Sequence, residues 1–227
     1  MKNVFRLTFA VLVFGLAFSS CKKNTGEKAV TGEASGKAAA AGETMYKVNP
    51  AASQVLWTGS KPTGQHTGTI QVAEGMVGLN GQNLVSGNFS LDMNSLSVSD
   101  LQPGQGKEKL ESHLKGTVDG NRDDFFNVTK FPNASFSITN VGPATAGDQN
   151  ANATITGDLT IRDVTKSVTF PAYVGAIGNK FTAVTPNFTI NRTEWGVNFK
   201  SKSIFDNLKD DFISDDISLS IKLEASK

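Results

Sequence analysis

Side chains able to do chemistry are few and scattered in this chain. It has two histidines, His66 and His113, and one cysteine, Cys21. Arg192 shares strand phase with Phe188 and Ile190, which aims its guanidinium inward. Three adjacent carboxylate pairs, Asp123-Asp124, Asp210-Asp211 and Asp215-Asp216, complete the candidates. Paired-carboxylate catalysis needs both acids facing one substrate, whereas neighbours on a strand point to opposite faces and neighbours in a loop are solvated. No HExxH or GxSxG stretch offers a zinc site or a nucleophile elbow, and GQGKEK at 104–109 lacks the spacing of a phosphate-cradling loop. The expectation is a protein without catalytic residues, metal ligands or cofactor. With 22 Lys and Arg against 21 Asp and Glu, the formal net charge of +1 carries no basic excess of the kind nucleic acid requires. What is left to do chemistry is apolar surface.

That surface is written with a period of two. In ITGDLTIRDVTKSVTFPAYV, at 155–174, Ile155, Gly157, Leu159 and Ile161 share one face. Val168, Phe170, Ala172 and Val174 share it again after a polar turn expected at 163–165. The same alternation recurs at Val55 and Trp57, at His66, Ile70 and Val72, at Phe89, Leu91 and Met93, and at Phe136 and Ile138. It returns at Phe188 and Ile190 and again from 217 to 223, with GLNGQN and GPATAGDQN as turns between runs. Many amphipathic strands with no helices between them predict an all-β fold with one dry sheet face. An open sheet of this length exposes its edges and that face, so closure into a barrel or folding into a sandwich follows. One stretch departs from the beat: KEKLESHLKG at 107–116 places Leu110, His113 and Leu114 at helical spacing. It predicts a short amphipathic helix on the sheet or across a barrel mouth, followed by a loop in which Phe125, Phe126 and Phe131 cluster.

The front of the chain reads as processing sequence. Lys2 and Arg6 precede an apolar run from Leu7 to Phe18, too short to span a bilayer but suited to a secretory signal, and Ser19-Ser20-Cys21 follows. This resembles a bacterial lipoprotein signal, which implies a signal peptide at 1–20 and a diacylglycerol-modified Cys21. Its loss takes the formal charge from +1 to −1. Several acyl chains on one cysteine suffice for stable anchoring, so a periplasmic protein tethered to a membrane, taken to be the outer one, is expected. Residues 22–44 hold one large apolar side chain, Val30, and 21–45 reads as a flexible linker with a mean reach of roughly 25 Å. The remainder, 46–227, reads as a single domain.

Within that domain WTGSKPTGQHTGTI, VSGNFSLDMNSLSVSDL, LESHLKG, DDFFNVTKFPNASFSIT and ITGDLTIRDVTKSVTFPA resemble, in this order, the YceI-like family of exported bacterial proteins. The resemblance runs from about Tyr46 to the C-terminus. GTVDGNRD is an insertion against the family pattern and implies a longer loop after the helix. The family implies an extended antiparallel, lipocalin-like β-barrel with a short helix near one end and an apolar tunnel that holds a polyisoprenoid or another long lipid. The candidate lipid-binding residues are then Trp57, His66, Ile70, Val72, Phe89, Leu91, Phe125, Phe126, Phe136, Ile138, Leu159, Phe170, Phe188 and Arg192. His66 is either a mouth residue for a polar head or a histidine satisfied by backbone. Arg192 meets a lipid phosphate or pairs with an acidic neighbour, and His113, on the apolar side of its helix, reads as structural. Side chains can just fill an eight-stranded barrel or leave room for one ligand, and strand patterns do not give volume. The rival reading is a barrel filled by its own side chains that serves as a structural or protein-interaction module.

Overall fold

β-branched and aromatic residues alternating with small polar ones favour extended backbone, and the chain forms strands at nearly every position where that alternation occurs. The computed structural model describes residues 26–146 and 148–227. In chain order the strands are β1 (Glu27–Lys28), β2 (Val30–Glu33), β3 (Thr44–Val48), β4 (Gln54–Lys61), β5 (Gly64–Asn80) and β6 (Asn83–Val98). The helix α1 (Lys107–Lys115) is followed by β7 (Asn133–Pro143), β8 (Ala153–Ile161), β9 (Val164–Ile177), β10 (Lys180–Val184), β11 (Phe188–Asn191) and β12 (Asp216–Ser226).

The strands close on themselves. β4 pairs with β5, β5 with β6, and so on through β7, β8, β9 and β10 to β12, which returns to β4. Every one of these pairings is antiparallel. Some ring positions are shared by two strands. Between β5 and β12, β4 takes one half and β3 the other. Against β12, β10 takes one half and β11 the other. Closure satisfies the backbone groups that an open sheet would leave bare at its edges. The β8–β9 turn is tighter than the polar residues suggest: Ile161 pairs with Val164, leaving Arg162 and Asp163 as the only loop residues, both at positive φ. That is the geometry a two-residue hairpin needs to match the right-handed strand twist.

The predicted helix is present near one end of the ring. Leu114 is its buried residue, and Gly116 ends it in the left-handed conformation with its N–H bonded to the carbonyls of His113 and Ser112. Glu111 fixes it to β6 by accepting from the Val98 N–H at 2.8 Å and the Ser97 hydroxyl at 3.1 Å.

The expectation of a flexible linker at 21–45 is corrected over its described part. From residue 26 onward the chain is laid along the ring. β1 runs parallel to β11 and β2 antiparallel to β9. The N–H groups of Ser35 and Gly36 donate to the Asp158 carboxylate, each at 2.9 Å. Ala39 N–H then reaches the Ile138 carbonyl and Glu43 N–H the Asn80 side chain. Low hydrophobicity kept this segment from signalling structure, but the stretches of β9 and β11 that do not pair with each other, together with the Asp158 and Asn80 side chains, supply the partners it lacks by itself. The expected signal peptide and Cys21 lie outside the described residues.

Candidate functional site: a two-chambered apolar lumen

The inward side chains do not fill the ring. At the helix end lies a cavity of about 250 Å³, and beyond it a second of about 120 Å³. Both volumes far exceed the space one water needs. Val55, Leu91, Leu159 and Leu219 line both cavities and mark the level where they meet. The openness of the far chamber has a local cause. The Phe136 ring lies over Gly157, where a Cβ would come within 2.3 Å of its Cζ, and Phe89 lies over Gly87, where the corresponding distance is 2.8 Å. Glycine at these inward positions lets rings fold back on the wall. The rings also brace one another, with centroids 6.4 Å apart for Phe89 and Phe136 and 5.6 Å for Phe136 and Phe170.

The structure places all fourteen candidate side chains on this lumen. Trp57, His66, Ile70, Phe125, Phe126 and Arg192 line the helix-end chamber. Val72, Phe89, Phe136, Ile138, Phe170 and Phe188 line the far one, and Leu91 and Leu159 line both. Phe131 is separated from the other two phenylalanines of its loop and lies instead beneath the Arg162 guanidinium, 5.7 Å from ring centroid to Cζ. Trp195, Val197, Ile213 and Leu110 also line the first chamber. Trp195 is fully buried, and its indole N–H donates to the Leu159 carbonyl at 3.0 Å. It belongs to a 3-10 turn, so no period of two announced it; its size and apolar flank were the available signal.

The two chambers differ in polarity. The far one is lined by apolar groups with Thr185 as its polar residue. The helix-end chamber gathers Ser60, Lys61, Gln65 and His66 from the β4–β5 hairpin, together with Arg192 and Ser214. This polar rim is held in place by specific bonds. Ser214 N–H donates to the Ser60 carbonyl at 2.8 Å. His66 Nδ1 is 2.9 Å from Asp100 Oδ2, while Asp100 Oδ1 accepts the Thr67 N–H at 2.8 Å. Burial pushes the Asp100 carboxyl upward, but the Thr67 N–H and then His66 outweigh it, so the group is held below its ordinary 3.8.

Arg192 is committed to the wall. Its guanidinium donates to the carbonyls of Ser214 (3.0 Å), Val197 (2.6 Å), Phe199 (2.9 Å) and Ile213 (3.1 Å), and it lies 3.7 Å from Asp215. Of the two readings offered by its strand phase, pairing with an acid is the one the geometry has, extended by four carbonyls. These bonds clamp both legs of the 197–214 loop at the chamber rim. Burial pulls the guanidinium below its ordinary value, opposed by Asp215. His113 is held similarly: its Nε2 is 2.8 Å from Asp124 Oδ2, and its ring meets Phe125 and Phe199 edge-on at 5.1 and 4.9 Å. That bond closes the inserted GTVDGNRD loop against the helix. Among the described residues no group of three His, Cys, Asp or Glu side chains is arranged to hold a metal ion.

A closed antiparallel ring enclosing an apolar lumen, polar at one end, defines the class of a hollow β-barrel. The YceI-like domain matches residues 46–225, and the chain belongs to that family. A UPF0312 protein of Shewanella denitrificans is 35% identical over 92 residues, 40% of this chain and 46% of that protein. One from Pseudomonas putida is 33% identical over 120 residues, 49% of this chain and 59% of that protein. The chain therefore spans about half the length of these curated relatives. The crystal structure of Burkholderia cenocepacia BcnA is similar with a TM-score of 0.58 at 20% identity, covering 79% of this chain and 99% of that one. A polyisoprenoid binding domain from Saccharophagus degradans, implicated in plant cell wall breakdown, reaches 0.52 at 14% identity, covering 80% and 97%. Both share the fold.

Three outcomes follow from this geometry. Gly157→Val will drive the Phe136 ring off the wall into the far chamber and cost about 1–3 kcal/mol, as overpacking does, measured by urea unfolding. Arg192→Met will cost roughly 3–5 kcal/mol, because it leaves four carbonyls and Asp215 without their partner. A carboxyl with a lowered folded pKa stabilises above its unfolded value and loses that contribution as pH falls through the folded one. The Thr67 amide resonance will therefore shift with a midpoint below 3.8, and Asp100→Asn will abolish the transition.

Proposed function

We propose that this protein binds one long apolar lipid, of polyisoprenoid type, along the axis of its barrel. The carrying observation is the hollow lumen itself: two chambers end to end, apolar in the far half and rimmed by polar groups at the helix end. An extended chain fits that polarity with its tail in the far chamber and its head near Ser60, Gln65 and His66. Burying about fifteen chain carbons at roughly 0.8 kcal/mol each supplies about 12 kcal/mol before ordering costs, so affinity needs no polar chemistry. The polyisoprenoid binding domain of Saccharophagus degradans, which shares the fold, supports the reading. The protein acts without catalysis or cofactor, sequestering or carrying the lipid, and the Phe125-Phe126 loop with α1 gates the helix end. Cys21 tethers it to a membrane in the periplasm, the outer membrane being the expected site.

Purification of a form with Cys21 replaced, followed by organic extraction and mass spectrometry, tests the reading. The expected result is a stoichiometric long-chain lipid, or uptake of added prenyl lipid by protein recovered empty. Empty protein that takes up no prenyl lipid would leave the barrel as an anchored structural or interaction module.

A further inference from the structure

The ring wall has a seam. β10 holds β9 only from Tyr173 to Ile177, after which the chain passes through Thr185, Pro186 and Asn187 into β11. Proline brings no N–H to a ladder. Among the described residues no strand pairing joins β11 to the remaining half of β9. That gap is filled by residues upstream of the family domain. Glu27–Lys28 lies parallel to Phe188 and Thr189, the Ala29 N–H donates to the Thr189 carbonyl at 2.8 Å, and Val30–Glu33 pairs with β9 from Thr169 back to Lys166.

Two layers seal the seam. On the inside the Phe170 ring, from β9, and the Phe188 ring, from β11, stack at 4.6 Å with 5° between their planes. Both rings line the far chamber. On the outside lies the strap of residues 27–33, which buries only Ala29. Val30 is 71% exposed, and the outer side of Gly32 faces open space. The side-chain ties of the strap are Thr31 to Glu194, Glu33 to Lys166 and Lys28 to Asp216, all near the surface. Such ties contribute little against water, so the strap is held by backbone bonds with almost no apolar burial, the mark of a segment that opens locally. The outer wall beside it presents Tyr173 and Val184, directly opposite each other and both at least half exposed, an apolar ledge for an arriving chain.

We infer that residues 27–33 are a side door to the lumen: the strap peels from β9 and β11, the two rings part, and an apolar chain passes sideways into the far chamber before the strap pairs again. This rests on the lumen being a lipid site, and it gives the far chamber a lateral entrance separate from the gated helix end. The test is a strap locked by V30C with T169C, directly opposite residues, in a Cys21→Ser background, with cis-parinaric acid as the fluorescent probe and amide hydrogen exchange as a ligand-free readout. The oxidised form will bind and release the probe about tenfold more slowly than the reduced form at similar affinity. In the reduced protein, amides of residues 29–33 will exchange as a unit about 100-fold faster than the β8–β9 ladder. Equal probe kinetics in the two forms would overturn the door. Uptake by neither form contradicts the lumen reading instead, and then strap amides protected as strongly as β8–β9 overturn the door independently.

Discussion

A ring of eight strand positions sets a circumference by backbone hydrogen bonding, and the side chains must then deal with whatever width results. Here they do not meet at the axis. The aromatic groups that could have bridged it fold flat against the wall, Phe136 over Gly157 and Phe89 over Gly87. The aliphatic residues at the waist, Val55, Leu91, Leu159 and Leu219, are too short to close it. The lumen depends on that shortfall between width and reach, and an apolar void is costly in water unless something apolar occupies it.

Specific polar contacts brace the wall at the helix end of the void. Arg192 clamps both legs of the loop at the chamber rim, Glu111 ties the helix to β6, and the His113–Asp124 contact draws the inserted loop onto the helix. Each is a polar group spent on backbone or on an acid near the lumen. The polar groups of the β4–β5 hairpin remain arrayed at one end, which gives the lumen its polarity.

Much of this was legible in the residues. Alternation placed the strands and their inward faces because a half-buried sheet imposes a period of two, and helical spacing placed α1 to within a residue of its end. The lumen volume was not legible, since period and phase say which way Phe136 points but not that Gly157 lets it lie flat. Trp195 escaped because a 3-10 turn has neither period. The strap escaped for a different reason: EKAVTGE has no apolar pattern of its own, and its structure comes from the edges of β9 and β11, which meet it only in three dimensions. Arg192 was correctly aimed inward, but its partners are carbonyls from 197 to 214, which no local spacing reveals.

The central claim is that the axis of the ring is occupied by ligand rather than by protein. The most direct measurement is the electron density inside the ring of crystals grown from protein loaded with a prenyl lipid. The account predicts continuous elongated density past Leu91, Leu159 and Leu219, with its head near His66. A centre closed by Phe89, Phe136 and Phe170 swung onto the axis, with no room for a chain, would contradict it.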